Sequence, residues 1–195
     1  MRTAPDPTTQ LTPAGERIIA VASDLFYARG IRAVGVDLIA DEAGTTKKTL
    51  YDRFGSKDGL VVFYLERRYL RWRDFVLDHL DRVAPTSGPD RVLAVFDALE
   101  EWMRDNDRGC GFVNAFAEIG GTDHPGLGVI RKEKNWGRDL MVRLAHEADL
   151  HDADTLGRRL SLVHEGAIIS STAGGFADGM AVAKNLAADL IRAAA

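Results

Sequence analysis

The chain has 195 residues, 46% of them hydrophobic, with a formal net charge of −4 and a single cysteine. That is enough apolar material to build a core unaided, and one cysteine excludes an internal disulfide framework. An acidic balance also excludes a protein that coats nucleic acid over its whole surface, so any phosphate-binding role must be local.

Residues 1–11 carry Pro5, Pro7 and adjacent threonines with almost nothing apolar, which predicts a disordered arm. They hold no apolar stretch suited to a signal peptide, and no later window approaches the uninterrupted apolar length of a membrane span. A cytoplasmic protein without a membrane partner is expected.

Thr12-Pro13 opens the first predicted helix, with Thr12 as N-cap and proline where its missing N–H costs nothing. Ile18, Ala22, Leu25 and Phe26 follow at helical spacing, and Gly30 closes the run. A short helix from Val36 to Ala43 keeps Val36, Ile39, Ala40 and Ala43 on one face, with Gly35 before it and Gly44 after it. The next, Thr46 to Phe54, turns Leu50 and Phe54 inward and leaves Lys47, Lys48, Tyr51 and Asp52 outside. Two short helices joined at a glycine predict a helix-turn-helix. Ser56 caps a longer helix reaching about Leu80, with Leu60, Phe63, Tyr64, Leu70 and Phe75 as its stripes. Further helices are predicted over Pro89 to Asn106, Phe112 to Ile119, Leu127 to Ala148, Thr155 to Thr172 and Met180 to Ala193. No strand and no internal repeat is visible, so the fold class expected is all-α.

One local feature runs against the acidic balance. Between Gly44 and Lys57, the cations Lys47, Lys48, Arg53 and Lys57 face only Asp52. Threonine hydroxyls and ammonium groups at a helix N-terminus suit phosphate oxygens, because the unpaired N–H groups and the helix dipole both favour an anion. A lysine pair is ordinarily a solvated face, and Tyr51 has an alternative place as a core aromatic with its hydroxyl at the rim.

The run A-D-E-A-G-T-T-K-K-T-L-Y-D-R-F-G-S-K-D-G-L, Ala40 to Leu60, resembles the signature of the TetR family of transcriptional regulators. The likeness is strong over about the first 65 residues. It continues more loosely through R-G-C-G-F-V-N-A-F-A-E, His124-Pro125 and Gly166. The resemblance implies a three-helix helix-turn-helix DNA-binding domain over residues 12–55, followed by a helical effector-binding and dimerisation domain over 56–195. It implies that Thr45, Thr46, Lys47, Lys48, Thr49 and Tyr51 face double-stranded operator DNA, and that Lys57 contacts a phosphate. Two positions depart from the family pattern: Gly35 stands where a Thr or Ser N-cap is usual, and Lys48 where the residue is often small.

The same resemblance implies a small-molecule effector cavity in the second half. Trp102, Phe112, Asn114, Phe116, Trp136 and His164 are its candidate lining, although core packing accounts for each aromatic taken singly. On the last two helices, Leu162, Gly166, Ile169 and Ala173 form a stripe beyond what one monomer core covers, and Ala183, Leu186, Ala187 and Leu190 repeat the pattern. These are the candidate dimer interface, expected to meet a symmetry mate as a four-helix bundle. The expected function is a repressor released from a pseudo-palindromic operator by an effector. The alternative is a helix-turn-helix scaffold that docks on another protein without effector control. There is no H-E-x-x-H, C-x-x-C or G-x-S-x-G, so no catalytic residue, metal site or cofactor is expected, and Cys110 reads as a small apolar residue.

Overall fold

A computed structural model of the chain describes residues 11–195, so the expected arm lies outside the described residues except for Leu11. Among the described residues the elements are all helices: α1 Pro13–Arg29, α2 Val36–Glu42, α3 Lys47–Phe54, α4 Lys57–Val83, α5 Pro89–Met103, α6 Gly111–Ile119, α7 Gly126–Glu147, α8 Ala153–Ser171 and α9 Gly179–Ala194. Each lies within a few residues of its expected place. Packing divides the chain into two compact units, one running to Arg71 and taking in Gly111–Lys132, the other comprising Trp72–Cys110 and Glu133–Ala195.

In the first unit α1 starts as its sequence dictates, the Thr12 hydroxyl accepting the Gly15 N–H at 3.3 Å with Pro13 just inside. Its stripe of Ile18, Ala22, Leu25 and Phe26 is buried. Gly30 ends it at φ +88°, a backbone that disfavours any side chain. The Glu118 carboxylate from α6 then accepts the N–H groups of Ile31 at 2.8 Å and Arg32 at 2.6 Å. That double contact satisfies the donors left open where α1 stops. Leu60, Phe63 and Tyr64 from the start of α4 close this core, with Phe63 edge-on to Phe54 at 5.4 Å and Tyr64 beside Phe26 at 5.6 Å. The boundary expected between residues 55 and 56 therefore falls inside a packed unit. The helix-turn-helix is too small to bury its own apolar faces and borrows α4 to do so.

The second unit packs the later part of α4 with α5, α8, α9 and the later part of α7 around Val76, Leu80, Val92, Phe96, Leu99, Met141, Leu144 and Leu160. Gly157 on α8 sits so close to α7 that an added Cβ would lie 2.4 Å from the Val142 Cα. No other residue fits there without separating the two backbones. At the chain's end, Lys184 of α9 pairs with Asp97 of α5, and the His151 N–H donates to the Ala194 carbonyl at 2.7 Å.

Candidate nucleic-acid interface

The α2–α3 turn is built locally. Gly44 takes φ +59°, and the Thr45 N–H returns to the Ala40 carbonyl at 2.9 Å. Thr46 then caps α3, its hydroxyl accepting the Thr49 N–H at 3.1 Å and meeting the Thr49 hydroxyl at 3.0 Å. Leu50 and Phe54 are fully buried and fix the helix from behind. On the opposite side Thr46, Lys47, Lys48, Tyr51, Asp52 and Arg53 are exposed, with Thr45 and Thr49 half-buried beside them. Tyr51 is 42% exposed, which places it outside the core it had been weighed against.

The cations of this face are held by exposed carboxylates. Lys47 pairs with Asp37 of α2 at 2.5 Å, and Lys48 with Asp52 one turn along at 2.8 Å. Pairs this exposed are worth at most about 1 kcal/mol, so each ammonium is readily surrendered to a stronger anion. Lys57 is placed differently. It is half-buried and donates to the Ile31 carbonyl at 2.7 Å, and burial pulls its pKa below the ordinary lysine value against the opposing charges of Glu118 and Asp58. The sequence offered no sign of this bond or of the Glu118 contact, because both join residues far apart in the chain.

In the second unit the structure brings together only part of the expected effector lining. A small cavity is walled by Trp72, Val76, Val95, Leu140 and Met141, with Glu133, Trp136, Gly137, Ser161, His164 and Glu165. Its free space is about 20 Å³, where a single water needs roughly 10–15 Å³. Of the six expected residues, Trp136 and His164 line it. Trp102 packs instead on Trp72 and Phe75, at 5.3 and 5.2 Å between ring centres. Phe112 is buried in the first unit's core, Asn114 is half-buried on α6, and Phe116 is 52% exposed. The family resemblance offers these three as lining, whereas α6 belongs to the other unit. Trp72, Glu133 and Glu165 were missed, the two carboxylates because charged residues on a helix ordinarily read as solvated.

The polar wall of the cavity has a defined structure. Lys134 donates to both Glu165 oxygens at 2.8 and 2.9 Å, lies 3.3 Å from Glu133 and reaches the Cys110 sulfur at 3.4 Å. The neighbouring carboxylates and thiol drive its pKa above the ordinary lysine range despite burial. His164 is the converse: burial pushes its pKa down to about 4, so the imidazole is neutral. Its Nε2 is buried and has no hydrogen-bond partner among the described residues.

The surface of α8 and α9 is apolar where the sequence placed an interface, with one adjustment. Leu162 is 75% exposed, and Ile169 and Leu186 are close to half exposed, with Gly166 and Ala173 open beside them. Ala183 and Ala187 are buried in the chain's own core and Leu190 packs against that core, so these three are spent within the monomer. Phe176, on the turn between α8 and α9, and Val182 on α9 are also about half exposed.

Comparison with known proteins bears on both units. A profile described as bacterial regulatory proteins, tetR family, matches residues 18–62, the whole of the helix-turn-helix. The HTH-type transcriptional activator FasR of Mycolicibacterium smegmatis is 47% identical over 95 residues, covering 49% of this chain and 42% of that protein. The HTH-type transcriptional repressor KstR2 of the same organism is 36% identical over 69 residues, covering 35% of this chain and 33% of that one. The matched stretch thus spans less than half the length of these curated relatives. Among solved structures, SCO4454, a TetR-family transcriptional regulator from Streptomyces coelicolor, superposes with a TM-score of 0.84 at 28% identity, covering 93% of this chain and 96% of that one. A putative TetR transcriptional regulator from Streptomyces avermitilis gives 0.78 at 28% identity, covering 94% and 98%.

Proposed function

We propose that this chain, which belongs to the TetR family of bacterial regulatory proteins, is a DNA-binding transcriptional regulator that acts as a homodimer on a pseudo-palindromic operator. The observation that carries the reading is the two-sided construction of α3. Leu50 and Phe54 lock it into a core while Thr46, Lys47, Lys48 and Tyr51 stand outward together. A helix held in this way fits a major groove about 12 Å wide, with its capped N-terminus toward the phosphates. Thr45 and Thr49 border the same face, and Lys57, with one N–H on Ile31, keeps donors for a phosphate at the edge. Two such helices in a dimer read half-sites about 34–36 Å apart.

Control by a small molecule is the second part of the proposal. Helix α4 supplies Leu60 and Phe63 to the helix-turn-helix core and Trp72 and Val76 to the cavity wall. A ligand that prefers one setting of α4 thereby biases the spacing of the two reading helices. Repression relieved by the effector is the sign we assign. The names of the relatives include both an activator and a repressor.

Fluorescence anisotropy on the DNA upstream of the protein's own gene tests the DNA-binding reading. With about eight phosphates contacted per dimer, log affinity falls against log salt with a slope of about −7. Lys47→Ala weakens binding across sequences and makes the slope shallower by about 1. Affinity that ignores salt, or that is the same in wild type and Lys47→Ala, removes the proposal.

A further inference from the structure

The surface proposed to face DNA is a costly place for an exposed anion, yet α2 sends one to it. Asp37 lies in the first turn of α2, across that helix from the buried Ile39, and its side chain is 67% exposed. Its Oδ1 meets the Nζ of Lys47 at 2.5 Å, and Lys47 stands in the first turn of α3 on the outward side. The carboxylate is thereby held at the N-terminal end of α3, beside Thr46 and Lys47. In helix-turn-helix proteins that end of the reading helix is the one that contacts base edges. The other pair on this surface, Lys48 with Asp52, is of a different kind. It joins residues one turn apart on a single helix, as exposed helices commonly do.

The helix dipole favours an acid in the first turn of α2, but any exposed position of that turn would serve the dipole equally. The position taken is the one within reach of Lys47. An ionised carboxylate is purely an acceptor, with about four lone-pair sites, so a contact with one ammonium leaves it capacity for a further donor. The major-groove edges of the bases differ sharply in what they offer such a group. Cytosine presents the N4 amine, guanine presents the acceptors O6 and N7, and thymine presents the acceptor O4. Adenine sets its N6 amine beside the acceptor N7, so a carboxylate drawn to the amine meets a lone pair next to it.

We propose that Asp37 is a specificity-determining residue that selects cytosine at one position of each operator half-site, its carboxylate accepting a hydrogen bond from the N4 amine. This rests on the reading of α3 as a DNA-contacting helix and adds to it the choice of a base. Lys47 fixes the carboxylate and offsets its charge against the neighbouring phosphates, with further N–H groups left for a phosphate oxygen. The two side chains divide the work: the lysine supplies affinity for any duplex, and the aspartate rejects guanine and thymine by setting like against like.

Selection from a duplex library of randomised sequence, run with full-length wild type, Asp37→Ala and Asp37→Asn, reads that choice directly. The site is exposed, and thermal melting checks that both variants fold. Wild type is expected to return a two-fold symmetric site with one cytosine per half-site that Asp37→Ala no longer selects, the other positions being unchanged. Asp37→Asn keeps an acceptor and gains a donor, so it should admit adenine beside cytosine, because a carboxamide pairs with N6 and N7 together. In fluorescence anisotropy, replacing that C·G pair should weaken wild type about ten-fold and Asp37→Ala less than about two-fold. The same consensus from wild type and Asp37→Ala, or a preference lost evenly over the whole half-site, overturns the inference and leaves DNA binding by α3 standing. A wild-type protein that enriches no duplex overturns it together with the reading on which it rests.

Discussion

Lys47 and Asp37 show how the surface proposed to face DNA is held at the level of single side chains. Their contact at 2.5 Å is exposed on both sides, so it orients the ammonium without committing much energy to it. If the proposed DNA contact of Lys47 holds, Asp37 competes with DNA for that charge. Asp37→Asn is therefore expected to tighten operator binding a few-fold at low salt, up to about five-fold, with the gain fading as salt rises. Thr46 acts through the backbone instead, and Thr46→Ala should cost about 1 kcal/mol in urea denaturation by removing the α3 cap. His164 makes a pH statement. Its folded pKa, about 4, lies below the value near 6.5 of an exposed histidine, so the unfolded chain takes up the proton first. The stability it contributes is complete above about pH 6.5 and is lost as pH falls from there toward 4. Unfolding free energies measured across that window should show a slope that His164→Asn flattens.

Among the elements, legibility followed the range of the physics involved. The α3 helix was readable because every determinant is local: Gly44 for the turn, Thr46 for the cap, Leu50 and Phe54 one turn apart for the buried side. The α8–α9 pair was half readable. Period 3.6 shows that a face is apolar but not whether its own chain or a second copy covers it, so Ala183 and Ala187 were assigned outward while Phe176 and Val182 went unnoticed. Likewise, the aromatics of α6 carry no mark of which unit they join. Gly157 was silent in the sequence, since its reason is the backbone of α7 lying against it. Gly157→Val must push α7 and α8 apart and is expected to destabilise the protein by roughly 1–3 kcal/mol in chemical denaturation, more if neighbouring side chains cannot shift. Gly128→Ala on α7, where nothing lies within 4 Å of an added Cβ, should be neutral or slightly stabilising.

For the molecule as a whole, Leu162, Ile169, Phe176, Val182 and Leu186 are large apolar residues left about half exposed or more on α8, α9 and the turn between them. Apolar exposure of this kind marks a contact with another molecule when it is contiguous. On the proposed reading, pairing through α8 and α9 would bury these residues, and the two-fold symmetry of such a contact would match an operator with two half-sites. Leu186→Glu, at a position close to half exposed and so tolerated by the monomer fold, should shift sedimentation velocity toward the monomer while helical content is retained. DNA affinity should fall with it, because one reading helix contacts half the phosphates.

Guanine-methylation protection on the upstream DNA tests the role of α3 most directly, with wild type, Lys47→Ala and Tyr51→Ala compared side by side. The expected pattern is two protected major-groove clusters centred about one helical turn apart, or a whole multiple of it, weakened in register by both substitutions. Bound DNA with no protected guanine N7 positions, or a footprint identical in all three proteins, would contradict the assignment of this surface to DNA.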